Sequence, residues 1–122
     1  MILKDFEGKV CVTIRGMEIG SDDLTMVFDD GSAIHMSHYQ DCCESVRIDD
    51  VLGDPDDLLG VPLAMCEEAE SGPYMPKPGY ESYTDVWYKF RTHKGDVTIR
   101  WRGESNGYYG ERAVVELTGP KQ

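Results

Sequence analysis

Apolar residues recur at every second position over most of this chain, the spacing that lays one face of a β-strand on a core. Val10-Cys11-Val12-Thr13-Ile14-Arg15-Gly16-Met17 puts Val10, Val12 and Ile14 on one face. After a turn at 20–23, Leu24 to Phe28 forms a second strand. Asp29-Asp30-Gly31 carries the Asp-Gly hairpin signal and returns the chain as a third strand, Ser32 to His38. Ser45 to Ile48 reads as a fourth strand, Val61 to Glu68 as a fifth, Asp85 to Thr92 as a sixth, Val97 to Arg102 as a seventh and Glu111 to Leu117 as an eighth. Between the fourth and fifth, Gly53 to Gly60 reads as one helical turn, with Asp54 as N-cap, Pro55 in the first helical position and Gly60 as the stop. Residues 71–82 hold three prolines and two glycines and read as an exposed loop. Strands this close in sequence, joined by tight turns, pair antiparallel. The expectation is an α+β chain, one domain over 1–122. It is mainly an antiparallel β-sheet of about eight short strands, with one or two short helices.

Length and composition agree with one modest core: 122 residues, 40% hydrophobic and 29% charged. No apolar run approaches the ~20 residues that span a bilayer. Met1-Ile2-Leu3-Lys4-Asp5 lacks the basic-then-apolar plan of a secretory signal, so a cytoplasmic protein is expected. The net charge of −11 changes the picture more. Such a chain repels nucleic acid polymers and anionic membranes, and neither is expected as a partner. The acid is uneven: residues 1–72 carry 4 basic and 17 acidic residues, whereas 73–122 carry 8 and 6. Anion-binding capacity is therefore concentrated in the second half.

Cysteine chemistry is weakly indicated. Cys42 and Cys43 are adjacent, and Cys11 and Cys66 sit in apolar runs as small core residues. His35-x-x-His38-x-x-x-Cys42-Cys43 matches none of the usual zinc spacings, so no metal and no cofactor are expected. Nothing around the three histidines resembles a Cys–His nucleophile pair, and the chain is not read as an enzyme. The acid run from Asp49 to Asp57 lacks the plan of an EF-hand and reads as a solvated, helix-capping face.

The strongest candidate chemistry lies in the seventh strand and the loop after it. Alternation sets Thr98, Arg100 and Arg102 opposite Val97, Ile99 and Trp101. Two guanidinium groups two residues apart on one face form a fork suited to phosphate oxygens. Asn106, Tyr108, Tyr109 and Arg112 follow, among glycines at 103, 107 and 110. Arginine, asparagine and aromatic rings together suit a nucleotide, with phosphates on arginine and the base stacked. The plain alternative is that the arginines pair with surplus carboxylates on neighbouring strands. In the sixth strand Val86, Tyr88 and Phe90 share the core face, while Trp87 and Arg91 share the other as a stacking platform, a subunit interface or simple cross-strand packing. A second polar bank, His38 to Glu44, offers His38, Gln40 and Asp41 to a ribose or base edge.

These segments carry a resemblance. His38-Tyr39-Gln40-Asp41-Cys42-Cys43-Glu44, then Gly53-Asp54-Pro55-Asp56-Asp57-Leu58-Leu59-Gly60-Val61-Pro62, then Lys94-Gly95-Asp96-Val97-Thr98-Ile99-Arg100-Trp101 with Ser105-Asn106-Gly107-Tyr108-Tyr109 resemble a small phage-associated family. Its pattern is H-x-Q-D-C-C-E, G-D-x-x-D-L-(I/L)-G-x-P and K-G-x-V-T-I-R-W-x-G-x-S-N-G-Y-Y. The blocks span most of residues 38–110 and are specific in combination. The family is similar to the first type of Thoeris anti-defence proteins, non-enzymatic phage sponges.

The resemblance implies a protein that sequesters cyclic ADP-ribose isomers made by bacterial TIR immune enzymes, without cleaving them, in the host cytoplasm. Some relatives also hold cyclic oligonucleotides at a separate site. It implies homodimers that build into homohexamers, with pockets near subunit contacts. Candidate ligand groups are Arg100, Arg102, Asn106, Tyr108, Tyr109 and Arg112, with His38 and Asp41 as a second bank. Arg102 departs from the pattern, which places an aromatic after the Arg-Trp pair. Two other classes compete with the sponge. One is an acidic protein-interaction module that inhibits a basic host protein; the other is a small nucleotide hydrolase.

Overall fold

A computed structural model describes residues 1–38, 44–74, 82–105 and 112–121. Among the described residues, eight strands form two antiparallel sheets. They are β1 (Cys11–Arg15), β2 (Asp23–Phe28), β3 (Ala33–Ser37), β4 (Glu44–Leu52), β5 (Met65–Tyr74), β6 (Ser82–Thr92), β7 (Gly95–Ser105) and β8 (Val114–Thr118). The first sheet has the order β1-β2-β3-β8 and the second β4-β7-β6-β5. Among the described residues the helical component shrinks to two 3-10 turns, Leu3–Phe6 and Pro55–Leu58. The expected mainly antiparallel architecture therefore stands, with almost no helix in it.

One apolar cluster joins the two sheets. From the first come Leu24, Met26, Phe28, Ile34 and Met36. From the second come Val46, Ile48, Val86, Tyr88, Phe90, Val97, Ile99 and Trp101, all buried. Each set occupies alternate positions, so the period of two read in the sequence is what builds the sandwich. Phe6, carried by the first 3-10 turn, tilts against Phe28 with ring centroids 5.0 Å apart. The stacking is fixed at both sides. The turn after β1 bonds to β4 through Gly20 N–H to the Ile48 carbonyl and Ile48 N–H to the Ser21 carbonyl, both at 2.8 Å. At the other side Arg112, just before β8, reaches Glu68 and Glu70 of β5.

Several local readings differ from the sequence expectation. β4 runs on through Asp49 and Asp50, read as part of a solvated helix-capping face, to Leu52, and β8 begins only at Val114. Val12 is exposed rather than on the core face, because the β1–β2 register slips between Cys11 and Thr13 and leaves Val12 as the extra residue. The fifth strand starts at Met65, not Val61; Pro62 lacks an N–H and makes only an isolated bridge with Val10. It also runs on to Tyr74, into the stretch read as a loop. β5 is an edge strand, where a proline is tolerated, and its register is irregular between Ser71 and Tyr74, the stretch that holds Pro73. The Asp54 cap is as expected, its side chain accepting from Asp56 N–H at 3.0 Å.

Two turns carry clear physical demands. Gly53 has φ +101°, and a Cβ there would stand 2.2 Å from the Asp96 carbonyl oxygen. Gly8 has φ +89° but open space around it. In the β2–β3 turn, Asp30 is held by Lys9 and accepts from Ser32 N–H at 2.9 Å. Those bonds, Lys9 first and then Ser32, lower its carboxyl to about 2.

Gly53→Ala is expected to cost about 3 kcal/mol or more, and Gly8→Ala about 1 kcal/mol, in urea unfolding, because only the first adds a backbone clash to the left-handed strain. Asp30→Asn should lower the urea midpoint at neutral pH. Since the folded carboxyl titrates below its unfolded value of about 4, its contribution is complete above that pH and fades as pH falls toward 2. The gap between the variant and the parent should therefore close over that window.

Candidate functional site

The outward face of the second sheet carries most of the predicted groups that are described. Cross-strand register sets Arg47 of β4 opposite Arg102 of β7, and Arg102 opposite Asp85 of β6. The next outward row sets Asp50 opposite Arg100, and Arg100 opposite Trp87. The β4–β7 register slips between Ile48 and Asp50, so Asp49 is a bulged extra residue on this side. Arg100 and Arg102 therefore share this outward face, and Trp87 lies beside Arg100.

Each of these arginines meets a carboxylate. Arg102 donates from Nε and Nη2 to the two oxygens of Asp85, both at 2.8 Å, and its guanidinium stands 4.9 Å from the centre of the Tyr83 ring. Asp85 is buried, and this hydrogen bond holds the Arg102 charge well above the ordinary arginine range. Arg100 donates to Asp49 at 2.5 Å, while its Nε is buried without a hydrogen-bond partner. Arg47 is held more loosely. Its described ion-pair partners, Asp49 and Glu104, stand at 3.9 and 4.0 Å, beyond hydrogen-bonding distance, and its Nη1 donates to Ser45 Oγ at 2.9 Å. Arg91 lies further along the same face, exposed and paired with Asp96 at 2.8 Å.

Arg112 is not part of this face. It meets Glu68 and, at 3.2 Å, Glu70, whose cross-strand partners Tyr88 and Val86 both point into the core. It thus works from the opposite side of the second sheet. Burial opposes its charge, but Glu70, Glu68 and Tyr88 outweigh that and raise its pKa. Burial likewise pushes the Tyr88 phenol up to about 12. The single cationic niche expected near the C-terminus is therefore divided by a sheet, and its described arginines are matched by acid. That is the plain alternative the sequence left open.

His38 directly follows β3, and its N–H donates to the Asp22 carbonyl at 3.1 Å. Asp41, Asn106, Tyr108 and Tyr109 lie outside the described residues, as do Cys42 and Cys43. The topology still says where their segments begin and end. Ser37 pairs with Val114, and Glu44 pairs with Ser105. The connection from β3 to β4 and the one from β7 to β8 thus leave and arrive side by side. Ser82, at the start of β6, also pairs with Ser105, so the β5–β6 connection joins the same end.

Sequence reading missed Arg47, Tyr83, Asp49 and Asp85. Arg47 had a signal, since alternation in Ser45-Val46-Arg47-Ile48 sends it outward. A further cavity of about 510 Å³ opens between the N-terminal turn and the edges of β5 and β8. Ile2, Val115 and Leu117 line it with Glu67 and Glu68, against Lys4 as the one cation among the described lining residues, which ill suits a phosphate. Cys66 at its wall is pushed up to about 12 and Cys11 to about 11 by burial, so neither supplies a thiolate near neutral pH. Among the described residues no helix is long and apolar enough to cross a membrane.

Arg102→Ala should destabilise the fold by about 3 kcal/mol, because it strands a buried carboxylate, whereas Arg47→Ala should stay within about 1 kcal/mol. Urea unfolding of the two variants separates an arginine that builds the sheet from one that is free to serve a ligand.

No curated protein and no solved structure matches the chain. A family profile covers residues 5–115, which takes in all of the first seven strands. The chain belongs to that family, described as a domain of unknown function, DUF7448.

Proposed function

We propose that this protein is a non-enzymatic binder that sequesters a cyclic ADP-ribose-type signalling nucleotide, as the phage sponges it resembles do. The observation that carries the reading is topological. The two segments bearing the H-x-Q-D-C-C-E and S-N-G-Y-Y blocks start and finish beside one another, at the end of the sandwich where Arg47, Arg102 and Tyr83 stand. The described residues that flank two motifs far apart in sequence thereby stand together, near guanidinium and aromatic groups. The surrounding acid does not forbid this: beyond a Debye length of about 8 Å at physiological salt, remote charges are screened. A rigid sheet also holds arginines in place before a ligand arrives, which lowers the cost of binding. A homodimer or homohexamer in the host cytoplasm, and a separate site for cyclic oligonucleotides, belong to the same proposal.

One observation favours a second reading. The described arginines of the predicted cluster each face a carboxylate, so the acid left outside those pairs, at Asp50, Asp54, Asp56, Asp57 and Glu67, offers the stronger unbalanced field. Under that reading the protein is an acidic inhibitor of a basic partner. Its binding is lost on charge reversal at Asp54, Asp56 and Asp57 and is indifferent to Arg100.

Mixing the protein with cyclic ADP-ribose isomers from a TIR enzyme tests the proposal. Ligand at a hundredfold excess over Kd should stabilise the fold by about 2.7 kcal/mol, a Tm rise on the order of 10 °C. Heating should then release the nucleotide chemically unchanged, as read by mass spectrometry. No Tm shift with any isomer overturns the proposal, and a cleaved product replaces it with the hydrolase.

A further inference from the structure

From the geometry of β4 and β7 we infer that Asp49 is an internal stand-in for a ligand phosphate, and that Arg47 and Arg100 form the phosphate subsite it occupies. The inference deepens the nucleotide reading and rests on it for the identity of the natural ligand, but its chemistry can be tested alone.

Three features point to this spot. Asp49 lies between two guanidinium groups, at 2.5 Å from Arg100 and 3.9 Å from Arg47. One anion bridging two arginines is the arrangement a phosphate group adopts, because each guanidinium presents a fork of donors to its oxygens. Second, the carboxylate leaves both arginines incompletely served. Arg47 has its described carboxylates beyond hydrogen-bonding distance, and the buried Arg100 Nε has no partner. A buried N–H without an acceptor carries an uncompensated desolvation cost, a penalty that an added acceptor relieves. A carboxylate has two oxygens, whereas a diphosphate brings more acceptors and more charge to the same pair. Third, the bulge at Asp49 is a local irregularity in an otherwise regular ladder, the kind of device that re-aims a side chain.

The neighbouring rows define the rest of the subsite. Trp87 is the cross-strand partner of Arg100 and offers a ring beside the phosphates. Arg102 is excluded, since Asp85 takes its Nε and Nη2 in a bidentate pair that is 2.8 Å long on both arms. The arginine that departs from the family pattern is thus the one committed to the fold, and Arg47 takes its place in ligand binding. A competing carboxylate also sets a threshold. Weakly charged anions fail to displace it, and a ligand carrying two linked phosphates succeeds.

The test uses inorganic pyrophosphate as probe, with calorimetry on the full chain. Asp49→Asn removes the competing charge and should raise pyrophosphate affinity about tenfold. Asp96→Asn makes the same charge change at the exposed Arg91 pair and should stay within about twofold of the parent, because a distant charge is screened. Adding Arg47→Ala to Asp49→Asn should abolish the gain. An Asp49→Asn variant that binds no better than Asp96→Asn, or a gain that survives Arg47→Ala, overturns the inference. Should Asp49→Asn fail to fold, Arg47→Gln in the otherwise unchanged chain must weaken pyrophosphate binding several-fold, and unchanged binding overturns the inference equally. Pyrophosphate results as expected, with no response to any cyclic ADP-ribose isomer, keep this subsite and overturn the nucleotide reading. A response to an isomer without any effect of Asp49→Asn overturns the subsite alone.

Discussion

The pair between half-buried Arg102 and buried Asp85 organises the second sheet's outward face. Asp85 is placed in the middle of the sheet, where a lone carboxylate would be very costly, and Arg102 answers it with both arms of its fork. Tyr83 lies against the same guanidinium. With these groups locked, the positions of the remaining arginines follow from strand register alone. Arg47 stands opposite Arg102 on one side, and Arg100 stands one outward row away. Like charges directly opposite one another repel. The acids at 49, 85 and 104 are what allow three arginines to share the face.

This arrangement ties the excess acid of the chain to the binding proposed for it. A protein with a net charge of −11 that binds an anion needs its cations fixed on a stiff frame rather than spread over flexible loops. Here the frame is a four-stranded sheet whose inner face is anchored by Trp101, Tyr88 and Phe90. The same strands that bury these rings present Arg100 and Trp87 outward, so core packing and the spacing of the outward groups are set by one alternation. Arg112 serves a different purpose. It joins the lead of β8 to the acidic edge of β5 and so holds the two sheets together on that side.

Much of the architecture was legible because a period of two leaves little freedom. The faces of β6 and β7 follow directly from Val86, Tyr88 and Phe90 and from Val97, Ile99 and Trp101. Where the reading failed, a register slip or a proline intervened. Val12 looks like a core residue until the β1 bulge turns it out, and the start of β5 hides behind Pro62. The site was only half legible. Local alternation shows which face Arg100 and Arg102 share, but pairing of β4 with β7 is a long-range fact. No local pattern announces that Asp49 reaches Arg100, or that a sheet stands between Arg112 and the fork.

The most direct check of the central claim is the set of arginine side-chain Nε–H signals in ¹⁵N-resolved spectra, followed as a cyclic ADP-ribose isomer is added. The account predicts that the signals of Arg47 and Arg100 move and saturate together while that of Arg102, held by Asp85, stays in place. Signals of Arg47 and Arg100 that remain fixed while the nucleotide binds would contradict it.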